Sequence, residues 1–222
     1  MPKPTFFNLP DDKRARITEF ALDEFAARPY HRASLSRLVA RAGIAKGSVY
    51  QYFEDKLDLY RWLLTEEVPR RKAEYMRRQS EKSPPVTSLA GFLRAAVLSG
   101  VRFFLADPRL SQLGSAISTP TDDPELRALY AEATAMGHER FTQMLTGLVE
   151  AGQLRGDVDP ALVARIIASV LGSGLRDIVL GHLGVDVFEL GRDRSLGERL
   201  TGAELERLVD DILGVLVDGL RP

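Results

Sequence analysis

Ser48, Tyr50, Gln51 and Tyr52 place a hydroxyl, an amide and two phenols within one short stretch, AKGSVYQYFEDK, behind Gly47 and ahead of Lys56. None of the four is charged at neutral pH, and each makes hydrogen bonds. Set on a helix with Val49 as origin, Phe53 falls about 40° away, so these two apolar residues anchor one side. Tyr50, Gly47, Gln51, Ser48 and Tyr52 spread over the arc from about 100° to about 300°. A helix entering a major groove must approach closely, address base edges and hold the flanking phosphates. Gly47 allows the approach, Tyr50 and Gln51 suit base edges, and Ser48, Tyr52 and Lys46 suit phosphates. The helix start at Ala45 adds its own attraction for a phosphate oxygen, and Lys56 offers a second clamp. The same residue types also fit a tight corner between two helices with half-buried tyrosines, so types alone leave both readings open.

Helical periodicity dominates the elements that must position these groups, and strand alternation is nearly absent, so the expected fold is all-α. A first helix is predicted over about residues 9–28, with Asn8 as cap, Pro10 in its first turn and Pro29 as its stop. Its buried stripe is Ile17, Phe20, Ala21 and Phe25. Ser34 caps a short second helix that turns Leu35, Leu38 and Val39 inward, and Gly43 ends it in a left-handed turn. Ser34, Ser36 and Arg37 stand at its start, where a positioning helix meets a DNA backbone. The third helix is predicted over about residues 45–53. Two short helices about a glycine turn make helix-turn-helix geometry. A long fourth helix, about 54–80, is expected to bend at Pro69. The boundary is placed at EKSPPVTS (81–88). That leaves a DNA-binding domain over 1–55, with its connecting helix, and a helical bundle over 81–222. In the bundle, helices over about 89–104 and 125–151 precede two apolar stripes at 162–179 and 205–220. Residues 182–201 between them have no regular period.

Charge is distributed unevenly behind the net value of −1. Residues 1–80 carry 16 Lys+Arg against 11 Asp+Glu, a net of +5, and residues 81–222 carry 14 against 20, a net of −6. A basic N-terminal third suits a polyanion partner. With no cysteine, disulfides, thiolate metal sites and cysteine nucleophiles are excluded. No apolar run is long enough to span a membrane and the N-terminus lacks a signal-peptide core, so a cytoplasmic protein is expected. The competing classes are a helical interaction module without specific DNA binding and an all-α enzyme. The enzyme's carboxylate pairs would be Asp122/Asp123 or Asp210/Asp211, but the first reads as turn chemistry and the second as a half-solvated pair. His31, His138 and His182 lack metal-ligand spacing. No catalytic residue, metal or cofactor is therefore assigned.

The segment ITEFALDEFAARPYHRASLSRLVARAGIAKGSVYQYFEDKLDLY (17–60) resembles the N-terminal DNA-binding domain of the TetR family of bacterial transcription regulators. Phe25, Leu38, Val39, Ala42, Gly43, Lys46, Gly47, Tyr50, Tyr52, Phe53, Lys56 and Leu59 carry the match. Ala45 stands where the family usually has a capping serine, so the third helix is expected to start loosely. Pro29 replaces a common glycine. The resemblance implies a ligand-responsive regulator, most often a repressor, that binds a palindromic double-stranded operator as a homodimer. It implies dimerisation through the last two long helices, with Ile166, Val170, Ser173, Gly174, Leu208, Ile212 and Leu216 as candidates. It also implies a small-molecule pocket in the C-terminal part. Candidates there are Phe92, Phe103, Phe104, Tyr130, Met136, His138, Phe141, Met144 and Arg176, although such a stripe also suits an ordinary core. Scarce charge favours an apolar or aromatic effector.

Overall fold

Capping chemistry and proline set the first elements. The computed structural model describes residues 1–81, 88–152, 157 and 159–218, and among these there are helices and turns but no strand. Two compact units emerge, one of Met1–Ala73 with Arg109–Asp122, the other of Glu74–Pro108 with Asp123–Pro222. Most of the linker expected at 81–88, residues 82–87, lies outside the described residues.

The first unit begins with a short helix that the periodicity did not reveal, α1 (Pro4–Phe7). Asn8 closes α1 instead of capping the next helix. α2 (Asp11–Ala27) starts at Pro10 with Asp11 and Asp12 in its first turn, complementing the helix dipole. It ends as Arg28 turns extended, the conformation favoured ahead of Pro29. α3 (Leu35–Ala42) is capped by the Ser34 hydroxyl, which accepts from the Arg37 amide at 3.4 Å. Gly43 closes it in the left-handed region at φ 66°. A 3-10 turn, Lys46–Ser48, leads into α4 (Val49–Tyr52). Ala45 supplies no side-chain cap, and the entry is this tighter turn instead of a regular α-helical one.

Asp55 caps α5 (Lys56–Trp62) by accepting from the Asp58 amide at 2.8 Å. A π turn, Leu63–Glu67, then joins α5 to α6 (Val68–Ser80). The irregularity therefore precedes Pro69 instead of centring on it. Proline cannot donate to the Thr65 carbonyl and its ring crowds that group. The second unit takes in α6 from Glu74 and then α7 (Leu89–Ala106), and α8 (Pro108–Ala116), from Arg109 on, belongs to the first unit. Phe6, Ile17, Leu22, Leu38, Phe53, Leu59, Tyr60, Leu63 and Leu113 are completely or almost completely buried.

In the second unit, Asp123 caps α9 (Pro124–Glu150), and Asp159 caps α10 (Pro160–Ser169). A π turn at Val170–Gly174 separates α10 from α11 (Leu175–Leu183). Leu190 and Leu200 are buried in the stretch 182–201, which holds α12 (Val187–Arg192) and a 3-10 turn, Arg194–Arg199. Regular structure there comes from an Asp186/Glu189 capping box and tertiary burial, which the absence of an apolar period had concealed. α13 (Gly202–Asp218) completes the unit. One apolar cluster gathers Val97, Val101, Phe104, Leu175, Val179 and Val209, and another gathers Leu93, Leu145, Val163, Ala164 and Ile167.

Candidate nucleic-acid interface

α4 is too short to hold its own shape, because a four-residue helix forms few bonds against a costly nucleus. Val49 and Phe53, each 1% exposed, fix one side in the core. Tyr50 is half exposed, and Gln51, Gly47 and Ala45 are exposed, with Ser48 at intermediate depth. The outward surface is thus a polar, uncharged rim around a glycine. Beyond its chain neighbours, a Cβ on Gly47 would meet no atom of the described residues within 4 Å, and its φ is not positive, so none of them requires glycine there. The Lys46 side chain lies outside the described residues.

Tyr52 departs from the expected outward position and is buried. At about 300° on the wheel it lies only about 60° from Val49, and α1 covers it, with the Phe6 ring 6.1 Å away. Phe6 is fully buried among Phe53, at 4.9 Å, and Trp62, at 5.1 Å. Burying such a side chain contributes about 2–3 kcal/mol. α1 also provides the backbone partners at the end of α4. Lys3 N–H donates to the Tyr52 carbonyl at 2.7 Å, Lys3 Nζ to the Tyr50 carbonyl at 3.0 Å, and Thr5 Oγ1 to the Gln51 carbonyl. Sequence reasoning missed this contact; Pro4 ahead of the pair Phe6–Phe7 was its only local signal.

Two of the expected cationic clamps, Arg37 and Lys56, are committed within the protein. Glu24 is 1% exposed and receives the Ser34 amide at 2.8 Å, Arg37 Nε at 3.0 Å and Nη2 at 2.5 Å, and Arg28 Nη1 at 3.2 Å. Burial alone would raise this carboxyl, but Arg37, the Ser34 amide and Arg28 outweigh it and hold the group below the usual carboxylate range. Arg37, expected to hold a phosphate, therefore locks α3 to α2, and it also donates to the Arg32 carbonyl. Lys56, expected as a second clamp, donates to the carbonyls of Tyr30 at 2.9 Å and Ala33 at 3.3 Å. Its ammonium lies 4.2 Å from the Tyr30 ring centroid, and burial lowers its pKa. Ser34 is spent on its cap, whereas Ser36 is exposed.

Behind this surface, opposite charges alternate across the first unit. Buried Glu67 receives Arg70 at 2.8 Å and Arg71 at 2.7 Å. Arg71 reaches Glu19 at 2.7 Å, Arg109 of α8 joins Glu19 at 3.0 Å to Asp23, and Asp23 receives Arg41 at 2.8 Å. Arg41 also lies over the Phe20 ring.

The described pocket candidates lie in several surroundings. Phe104 sits in one apolar cluster; Phe92 and Phe141 face each other at 6.2 Å beside the other. Phe103 packs on Tyr75 at 5.4 Å. Met136 is exposed, Tyr130 and His138 are partly buried, and the Met144 side chain lies outside the described residues. Arg176 is paired with Asp177 at 2.7 Å. Of the dimer candidates, Ile166 is exposed, Val170, Ser173 and Gly174 lie in the π turn at intermediate depth, and Leu208 and Ile212 pack against a core cluster. The Leu216 side chain lies outside the described residues. Leu162 and Ile178 are further exposed apolar residues on α10 and α11.

One acid of each pair weighed for catalysis has a structural partner. Asp123 accepts from the amides of Glu125 and Leu126, and Asp210 pairs with Arg94. Among the described residues no cluster of His, Asp and Glu could hold a metal ion, and no helix is long and apolar enough to cross a membrane.

A family profile described as bacterial regulatory proteins, tetR family, matches residues 17–62. The HTH-type transcriptional regulator TtgR of Pseudomonas putida is 28% identical over 152 residues, covering 67% of this chain and 71% of that protein. A TetR family transcriptional regulator from Chloroflexus aurantiacus is similar over 100% of this chain and 99% of its own, at 30% identity and a TM-score of 0.69. FadR of Bacillus subtilis, solved in complex with stearoyl-CoA, shares the fold at 20% identity, covering 85% of this chain and 97% of its own with a TM-score of 0.63. With its helix-turn-helix and all-α architecture, the chain belongs to the TetR family of bacterial transcriptional regulators.

Proposed function

We propose that this regulator, a transcription factor and not an enzyme, binds a palindromic operator as a homodimer and represses until a small apolar or aromatic effector releases it. It acts in the bacterial cytoplasm, where its operator is. The carrying observation is the uncharged rim of Gly47, Ser48, Tyr50 and Gln51 on a helix whose other side is locked into the core. A rim of this kind suits the base edges of a major groove. Two copies related by a twofold axis would address half-sites about one helical turn apart, roughly 34–36 Å.

Exposed Leu162, Ile166 and Ile178 on α10 and α11 support self-association through the last long helices. The acyl chain of the stearoyl-CoA bound to FadR supports an effector with an apolar part. The DNA-reading domain is assigned to 1–55, with its connecting helix over about 54–80, and the effector and dimerisation domain to 81–222. Continuity of chain through α6 and into α8 offers the route for a response between them. Fluorescence anisotropy on DNA fragments flanking its own gene, at about 50 and 200 mM salt, tests the reading. A regulator of this kind loses affinity steeply with salt and keeps its preference for one palindrome. Equal binding to every fragment at each salt concentration refutes it.

A further inference from the structure

We infer that Lys3, Thr5 and Phe6 are positioning residues for DNA reading: they hold α4 in its reading posture without touching DNA, an inference that rests on the proposed function. The carbonyls of Tyr50, Gln51 and Tyr52 close the last turn of α4, where a helix leaves its acceptors unpaired. All three are taken by the N-terminal segment, through Lys3 Nζ, Thr5 Oγ1 and the Lys3 amide. The Lys3 ammonium also places a positive charge at the negative end of the helix dipole. Phe6 pins this segment, because it is buried against Phe53, Tyr52 and Trp62.

Two of these three bonds fall on the backbone of Tyr50 and Gln51, whose side chains belong to the rim. Releasing the clip leaves the core anchors in place and frees the rim to move. The ordering is then supplied at the moment of binding, and it weakens the specific complex selectively. Non-specific binding depends on phosphate contacts and is unaffected.

The test uses a duplex that the wild-type protein selects from a random-sequence library, a scrambled duplex of equal length, and the full-length variants Thr5→Val and Thr5→Ser. Thr5→Val, which keeps the shape and loses the donor, should bind the selected duplex about five- to tenfold more weakly, the size of one hydrogen bond. Its affinity for the scrambled duplex and its salt slope should match wild type, and Thr5→Ser should restore selectivity. Hydrogen exchange at the Phe53 amide, which donates to Val49, should be faster in Thr5→Val than in Thr5→Ser. Wild-type affinity for the selected duplex in Thr5→Val overturns the inference, as does equal weakening on both duplexes. If the wild-type protein selects no sequence, the functional reading fails instead. The clip then stands on faster exchange in Thr5→Val or falls on equal exchange.

Discussion

Gly47→Ala separates what the fold needs from what DNA needs. Beyond its chain neighbours, a Cβ at this position meets no atom of the described residues within 4 Å, and its backbone φ is not positive. Alanine should therefore fold at least as well as glycine. Reduced freedom in the unfolded chain gives it about 0.4–1 kcal/mol of added stability. In a chain of this size that is a rise in Tm of about 1–4 °C. The same methyl group projects from the outward arc beside Ser48 and Gln51, where the helix must approach the bases. A helix pushed back by a methyl group loses contacts of base-edge quality, each about 1–3 kcal/mol, or about 5- to 150-fold in affinity. Calorimetric melting and anisotropy on a selected duplex measure the two effects on one sample. Higher Tm with weaker specific binding is the expected pair. Unchanged specific binding would refute the idea that the gap at residue 47 serves a groove, and a lower Tm would refute the open space around it.

Glu24→Gln should cost about 1–3 kcal/mol at neutral pH, because the charge-assisted bonds from Arg37 and Arg28 weaken and one oxygen becomes a donor facing donors. The folded carboxyl titrates below its unfolded value, so its contribution is complete above the unfolded range, near pH 4.3, and is lost as pH falls through the folded value. Denaturant curves for wild type and variant should therefore differ at pH 7 and converge in acid; a gap that widens in acid would reverse the sign. Lys56→Met removes two carbonyl bonds and the contact with Tyr30, lowering stability by about 1–2 kcal/mol. The salt slope of DNA binding should not change, whereas a slope smaller by about 1 would make Lys56 a phosphate contact. Ile166→Glu, on an exposed apolar face of α10, should turn dimer into monomer in sedimentation, and an unchanged sedimentation coefficient would move the dimer interface elsewhere.

Local chemistry was legible where its partners lie close in sequence. The Ser34 cap, the turn at Gly43 and the anchors Val49 and Phe53 follow from residue type and helical spacing, and they position α4. What was not legible depends on distant partners. Arg37 reads as a free cation until Glu24, thirteen residues earlier, comes beside it. Lys56 likewise reads as a clamp until the Tyr30 and Ala33 carbonyls meet its ammonium. α1 escaped because four residues leave no periodicity, and Tyr52 went inward because α1 covers it. Nothing in the apolar pattern of α8 says that it packs with residues 1–73. The pocket candidates show the same limit: an aromatic stripe records burial without recording which cluster it joins.

Selection of duplexes from a random library by wild type and by Gln51→Ala addresses the reading helix most directly. Gln51 is exposed on α4 and suited to the edge of a base. If α4 reads DNA, both proteins select the same palindrome, but the variant loses preference at one symmetry-related base pair in each half-site. Identical preferences at every position would contradict a reading role for this helix.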